Sequence, residues 1–114
     1  MTSAYIRFLS LVHTLDMAHS QVSGLDETTK HLLRVIGLHH AQGQPLTVTQ
    51  AMALSAIASP ATIHRKLDTL RELDLIEQTF EGSNRRTKYL SPTQTAHDYF
   101  DQIGKMIKQS TLAE

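Results

Sequence analysis

Between Ser59 and Leu90 the spacing of apolar residues switches from the period of a helix to that of a strand, with no linker between them. Ser59-Pro60 is a helix start: serine is a favoured N-cap, and proline at the first helical position loses an N–H that would have no partner anyway. Ile63, Leu67 and Leu70 then fall at i, i+4 and i+7 and form an inner face, while Ala61, Arg65, Asp68 and Glu72 turn the other way. The helix is expected to end near Leu73-Asp74. From there Leu75 to Phe80 and Arg86 to Leu90 read as two strands, with Glu81-Gly82-Ser83-Asn84-Arg85 as the connecting loop.

What precedes this unit is helical. Tyr5, Phe8, Leu9, Val12 and Leu15 recur at steps of three or four from Ser3 to His19, and Ile6, Leu11 and Met17 widen the stripe. Gly24 breaks that segment. Asp26 and Glu27 supply an acidic first turn for a second helix, whose Leu25, Leu32, Leu33 and Ile36 lie close to one face and which Gly43-Gln44-Pro45 stops. Thr47 with Gln50 three residues on has the form of a capping box, opening a short helix through Val48 and Met52. Ser55-Ala56-Ile57-Ala58 is a turn. After the hairpin, Ser91-Pro92 with Gln94 reads as another start, followed by the stripe Ala96, Tyr99, Phe100, Ile103, Met106 and Ile107.

The fold class that follows is mainly α with a small β-hairpin: a winged helix-turn-helix with added N- and C-terminal helices. One domain is expected over residues 1–114, with an N-terminal dimerisation helix at 1–20, a DNA-binding core at 25–91 and a C-terminal helix at 92–110. The second helix of such a pair can enter the major groove of duplex DNA, about 12 Å wide, with its N-terminal side chains on base edges.

Charge seems to oppose this reading, because 11 Lys and Arg balance 11 Asp and Glu and a nucleic-acid binder is usually basic. Distribution answers the objection. Six of the 11 basic residues lie between 59 and 90; Arg65 and Lys66 stand in Ser59 to Leu67 without an acid, as do Arg85, Arg86 and Lys88 in Gly82 to Leu90. Asp68, Glu72 and Asp74 belong to the later part of the helix, expected to point away from the groove. Modest, salt-sensitive non-specific affinity follows.

Thr47-Val48-Thr49-Gln50, Ser59 through Leu70, Leu75-Ile76, Asn84-Arg85-Arg86 and Leu90-Ser91 together resemble the winged-helix regulators of the multiple-antibiotic-resistance regulator (MarR) family. The resemblance covers roughly Leu46 to Phe100. In that family the wing commonly carries Asp-x-Arg, whose Arg enters the minor groove; here Arg86 falls on the Arg position and Asn84 replaces the Asp. Ala56-Ile57 stands where the family tends to have Leu-Gly. The resemblance implies a DNA-binding homodimer with interlocking terminal helices, and a possible small-molecule effector of unknown identity.

On this reading the DNA-binding residues are Thr47, Ser59, Ala61, Thr62, His64, Arg65, Lys66, Thr69, Asn84, Arg85, Arg86 and Lys88. The dimer interface is expected on Tyr5, Phe8, Leu9, Val12, Tyr99, Ile103 and Ile107. Two such subunits would present recognition helices about 34 Å apart to a pseudo-palindrome. No cofactor or metal is expected: cysteine is absent, and the seven histidines show no i, i+4 pair. No Gly-rich phosphate loop, carboxylate pair or nucleophile motif points to an enzyme. No apolar run suits a membrane span and the opening residues do not resemble a signal peptide, so a cytoplasmic, nucleoid-associated protein is expected. A winged-helix module that binds protein is the alternative.

Overall fold

The computed structural model describes residues 3–112; residues 1, 2, 113 and 114 of the expected domain lie outside them. The helices are α1 (Ala4–Ala18), α2 (Ser20–Ser23), α3 (Glu27–Ala41), α4 (Val48–Met52), α5 (Pro60–Glu72) and α6 (Gln94–Leu112). A hairpin of β1 (Ile76–Glu81) and β2 (Asn84–Pro92) separates α5 from α6. This is the expected order with one addition, the single turn of α2.

Local chemistry sets most of the boundaries. The side chains of Ser3, Asp26, Thr47 and Ser59 each accept the backbone N–H three residues on, at Ile6, Thr29, Gln50 and Thr62. At Thr47 the capping box is complete, since Gln50 Oε1 accepts from Thr47 N at 2.9 Å. Each such cap is worth about 1 kcal/mol.

The start of α6 differs from expectation. Ser91 and Pro92 are the buried last residues of β2, and the cap is Thr93, whose hydroxyl accepts from Ala96 N at 3.2 Å and donates to Asp74 O at 2.6 Å. Pairing of Ile76 with Pro92 and Glu77 with Ser91 extends the strand past the apparent helix start. The hairpin turn is also tighter than the loop expected at 81–85. Only Gly82 and Ser83 lie between the two strands, and Gly82 takes φ +55 at the position where a type II′ turn needs glycine. An irregularity between Thr79 and Glu81 displaces Phe80.

Two apolar clusters hold the chain together. Leu32 and Ile36 of α3, Ile63 and Leu70 of α5, and Leu75 and Leu90 at the hairpin base form the centre of the larger, all at most 1 % exposed. The smaller comprises Leu15, Val22 and Tyr99. Phe100 packs against both, and Gly37 makes room for its ring: a Cβ there would lie 2.9 Å from Phe100 Cε2. Helices α1 and α6 run antiparallel, since Arg7 meets Ser110 and Asp16 meets Tyr99. The molecule is elongated, 53 × 28 × 25 Å, with a radius of gyration of 15.6 Å against about 13 Å for a compact chain of this length.

Candidate nucleic-acid interface

The α4–turn–α5 unit and the hairpin enclose a cleft of about 620 Å³. Thr47, Val48 and Thr49 line it from α4, His64, Leu67, Asp68 and Arg71 from α5, and Gln78, Arg86, Thr87 and Lys88 from the hairpin. A backbone bridge from Thr47 to Tyr89, with Leu90 N donating to Leu46 O at 2.8 Å, ties the entry of α4 to the wing. Thr47 therefore serves the architecture through its cap and its bridge, and also lines the cleft.

The first turns of α5 are polar and open. Ser59 Oγ donates to Thr62 Oγ1 at 2.9 Å while accepting from Thr62 N at 3.3 Å. Arg65 Nη2 donates to the same Thr62 oxygen at 3.2 Å, so the threonine hydroxyl, with both lone pairs engaged, has only its own O–H left to donate. Ala61, His64, Arg65 and Thr69 are exposed, and Thr69 Oγ1 donates to Arg65 O at 3.2 Å. A cationic fork, a hydroxyl donor and a methyl group on one helix face are the functional groups that read base edges and phosphates.

Two residues of α5 are placed otherwise than expected. Lys66, assigned above to DNA, donates from Nζ to Asp26 Oδ2 at 2.9 Å and to Thr29 Oγ1 at 3.3 Å. That ammonium and two hydrogen bonds from Thr29 hold the Asp26 carboxyl well below the usual carboxylate range. Asp68, expected behind the contact surface, lines the cleft, its carboxylate 3.6 Å from His64 Nδ1 and 3.3 Å from Arg71 Nη2. Periodicity places both residues correctly on the helix. Their partners, on other elements or on the next turn, decide what the charges do.

The wing keeps its cations outward. Asn84 Oδ1 accepts from Arg86 N at 2.9 Å and its Nδ2 donates to Thr87 Oγ1 at 3.3 Å, so the amide organises the strand backbone. Arg85 lies over the Phe80 ring at 5.4 Å. Arg85, Arg86 and Lys88 are exposed, and among the described residues no carboxylate stands within ion-pair distance of them or of Arg65.

The terminal helices present different chemistry. Tyr5 is 65 % exposed and Ile107 53 %, and Leu9 and Ile6 are exposed too; Phe8, Val12 and Ile103 are half-buried. Tyr99, placed in the expected dimer interface, is instead buried within its own chain, its hydroxyl donating to Asp16. Burial and the adjacent Asp16 carboxylate raise the Tyr99 phenol above the ordinary tyrosine range. Asp16 also accepts from Lys30 Nζ at 3.0 Å, and this Lys30–Asp16–Tyr99 chain joins α3, α1 and α6. Its members lie on three helices, so no spacing rule could have found it. Beside it a cavity of about 300 Å³, walled by Val22, Leu33, Tyr99, Phe100 and Ile103, has Lys30 and Arg34 in its lining.

Among the described residues no cluster of three His, Asp or Glu could hold a metal, and no helix is long and apolar enough to cross a membrane.

No family model and no curated protein matches the chain. Solved structures do. RV1404 from Mycobacterium tuberculosis superposes with a TM-score of 0.65 at 14 % identity, over 92 % of this chain and 67 % of that one. Staphylococcus aureus MarR, in complex with salicylate and kanamycin, gives 0.59 at 23 % identity, over 96 % and 67 %. Lactococcus lactis ZitR in complex with DNA gives 0.51 at 20 % identity, over 78 % and 57 %. The chain spans about two thirds of the length of the first two proteins and less of the third. With its capped α5, its hairpin wing and its paired terminal helices, it has the winged helix-turn-helix fold of MarR-type regulators.

Proposed function

We propose that the chain is a transcription regulator that binds duplex DNA as a homodimer, with the first turns of α5 in the major groove and the wing on the backbone or in the minor groove. One observation carries the reading: His64 of the open α5 face and the wing cations Arg86 and Lys88 line a single cleft, and Arg65, Arg85, Arg86 and Lys88 are free of carboxylate partners among the described residues. Ser59, Ala61, Thr62, His64, Arg65 and Thr69 serve base edges and nearby phosphates, and Arg85, Arg86 and Lys88 serve the backbone and minor groove. The exposed apolar face of α1 and α6 serves dimerisation. The fold match to ZitR, solved with DNA, supports the same reading. Such a protein works in the cytoplasm on the nucleoid and catalyses nothing.

A small-molecule effector fits the cavity beside Tyr99, whose apolar walls suit an aromatic ring and whose cations, Lys30 and Arg34, are each paired with a carboxylate, Asp16 and Glu27; S. aureus MarR was solved with an aromatic acid, salicylate.

The test is a fluorescence-anisotropy titration against a duplex selected from a random-sequence pool. Affinity is expected to fall steeply with salt, and Arg65→Ala and Arg86→Ala each to weaken binding by about 1–3 kcal/mol or to lower the salt slope by about one. Salicylate added to the same titration is expected to weaken binding; no change would remove the effector from the proposal. Binding that ignores salt and both substitutions would overturn the DNA reading, and capture of a partner protein instead would favour a protein-binding module.

A further inference from the structure

The recognition helix carries two adjacent cations in opposite circumstances. Arg65 is exposed and touches Thr62 on its own helix. The Lys66 side chain is only 18 % exposed, and its ammonium bonds two residues of the first turn of α3: Asp26, the N-cap, and Thr29, which is buried. The next residue of α3, Lys30, bonds Asp16 of α1, which in turn accepts from Tyr99 of α6. One helical turn thus holds the recognition helix on one side and the terminal-helix pair on the other.

We propose that Lys66 is a positioning residue for DNA binding, acting through Asp26 and Thr29 to fix the rotation of the recognition helix against α3; this rests on the DNA-binding reading above. An ammonium has three donors, and here two are engaged, one on a carboxylate that neutralises its charge. A phosphate approaching Lys66 meets a neutral pair. The apolar contacts of Ile63, Leu67 and Leu70 hold α5 to the core but are non-directional and tolerate some rotation about the helix axis. A directional bond on the flank of the helix does not. Base readout needs side chains held to about 0.5 Å, so the bond matters for specific binding and little for non-specific binding.

The experiment compares Lys66→Met, which keeps the aliphatic stem, Lys66→Arg, which keeps the charge, and Asp26→Asn, which caps α3 as well as aspartate does. Affinities are measured for the selected duplex and for a random-sequence duplex over a salt series. Lys66→Met and Asp26→Asn are each expected to weaken selected-duplex binding about 3- to 10-fold, the double variant no further, and Lys66→Arg to retain most of it. Random-duplex affinity and the salt slope stay as in the wild type. A slope lower by about 0.9 in Lys66→Met, or tighter binding in Asp26→Asn, would mean that Lys66 contacts a phosphate, and the proposal fails. If the wild type binds neither duplex at any salt, the DNA reading fails separately. The bridge is then judged by melting of the same variants: coupling between the two substitutions supports it, and additivity overturns it.

Discussion

The helix–wing cleft and the terminal-helix pair use opposite means to keep an exposed surface. On α5 and the wing the outward side chains are mostly polar, and short local bonds preset them: Ser59 to Thr62, Arg65 to Thr62, Asn84 to Arg86. On the terminal pair the bonds are inside, with Asp16 between Lys30 and Tyr99, and the outside is apolar at Tyr5, Ile6, Leu9 and Ile107. The surface proposed to meet water and phosphate carries its own hydrogen bonds. The one proposed to meet another apolar surface keeps its polar groups behind it.

The comparison breaks most severely if the apolar face proves idle. Tyr5→Glu with Leu9→Glu is expected to reduce the mass in solution from dimer to monomer and to weaken selected-duplex binding by at least about 100-fold, because two half-sites no longer bind together. Light scattering after size exclusion reads the mass; an unchanged mass would move the interface elsewhere. The hidden bonds come next. Asp16→Ala strands a mostly buried Lys30 ammonium and the Tyr99 hydroxyl, and is expected to cost about 2 kcal/mol in denaturant unfolding, tempered by the partial exposure of the pair.

The smallest effect is a pH limb. The Tyr99 phenol is raised in the folded state, so the unfolded chain releases its proton first, and the stability that Tyr99 contributes is expected to be constant below about pH 10 and to fall above it. Tyr99→Phe should flatten that alkaline limb. An unaltered limb would show that the hydroxyl is not held as the structure has it.

How far the sequence was legible follows the same division. The stripe Ile63, Leu67, Leu70 and the Ser59 and Thr47 caps were readable because helix period and N-cap chemistry are local. Where the chain stays polar the signal fades. Glu81 to Arg85 reads as loop because an exposed ladder has no apolar alternation, yet Glu81 pairs with Asn84. Ser91-Pro92 imitates a helix start because the same two residues suit a buried strand end once Thr93 supplies the cap. The surroundings of Lys66 and Tyr99 are not legible in the sequence for a common reason: each has a carboxylate partner 40 or 83 residues away. Asn84 was more informative than a missing carboxylate suggests, since an amide can both accept from Arg86 N and donate to Thr87.

The 53 Å length of the molecule has a bearing on supply. A drawn-out chain with an exposed apolar flank suits the proposed reader of DNA, which is assembled from two copies. Below the concentration at which pairs form, the amount of working regulator grows with the square of the amount of protein made. A twofold rise in synthesis then gives nearly fourfold occupancy of a weakly filled operator, so gene dosage itself becomes an input to the switch.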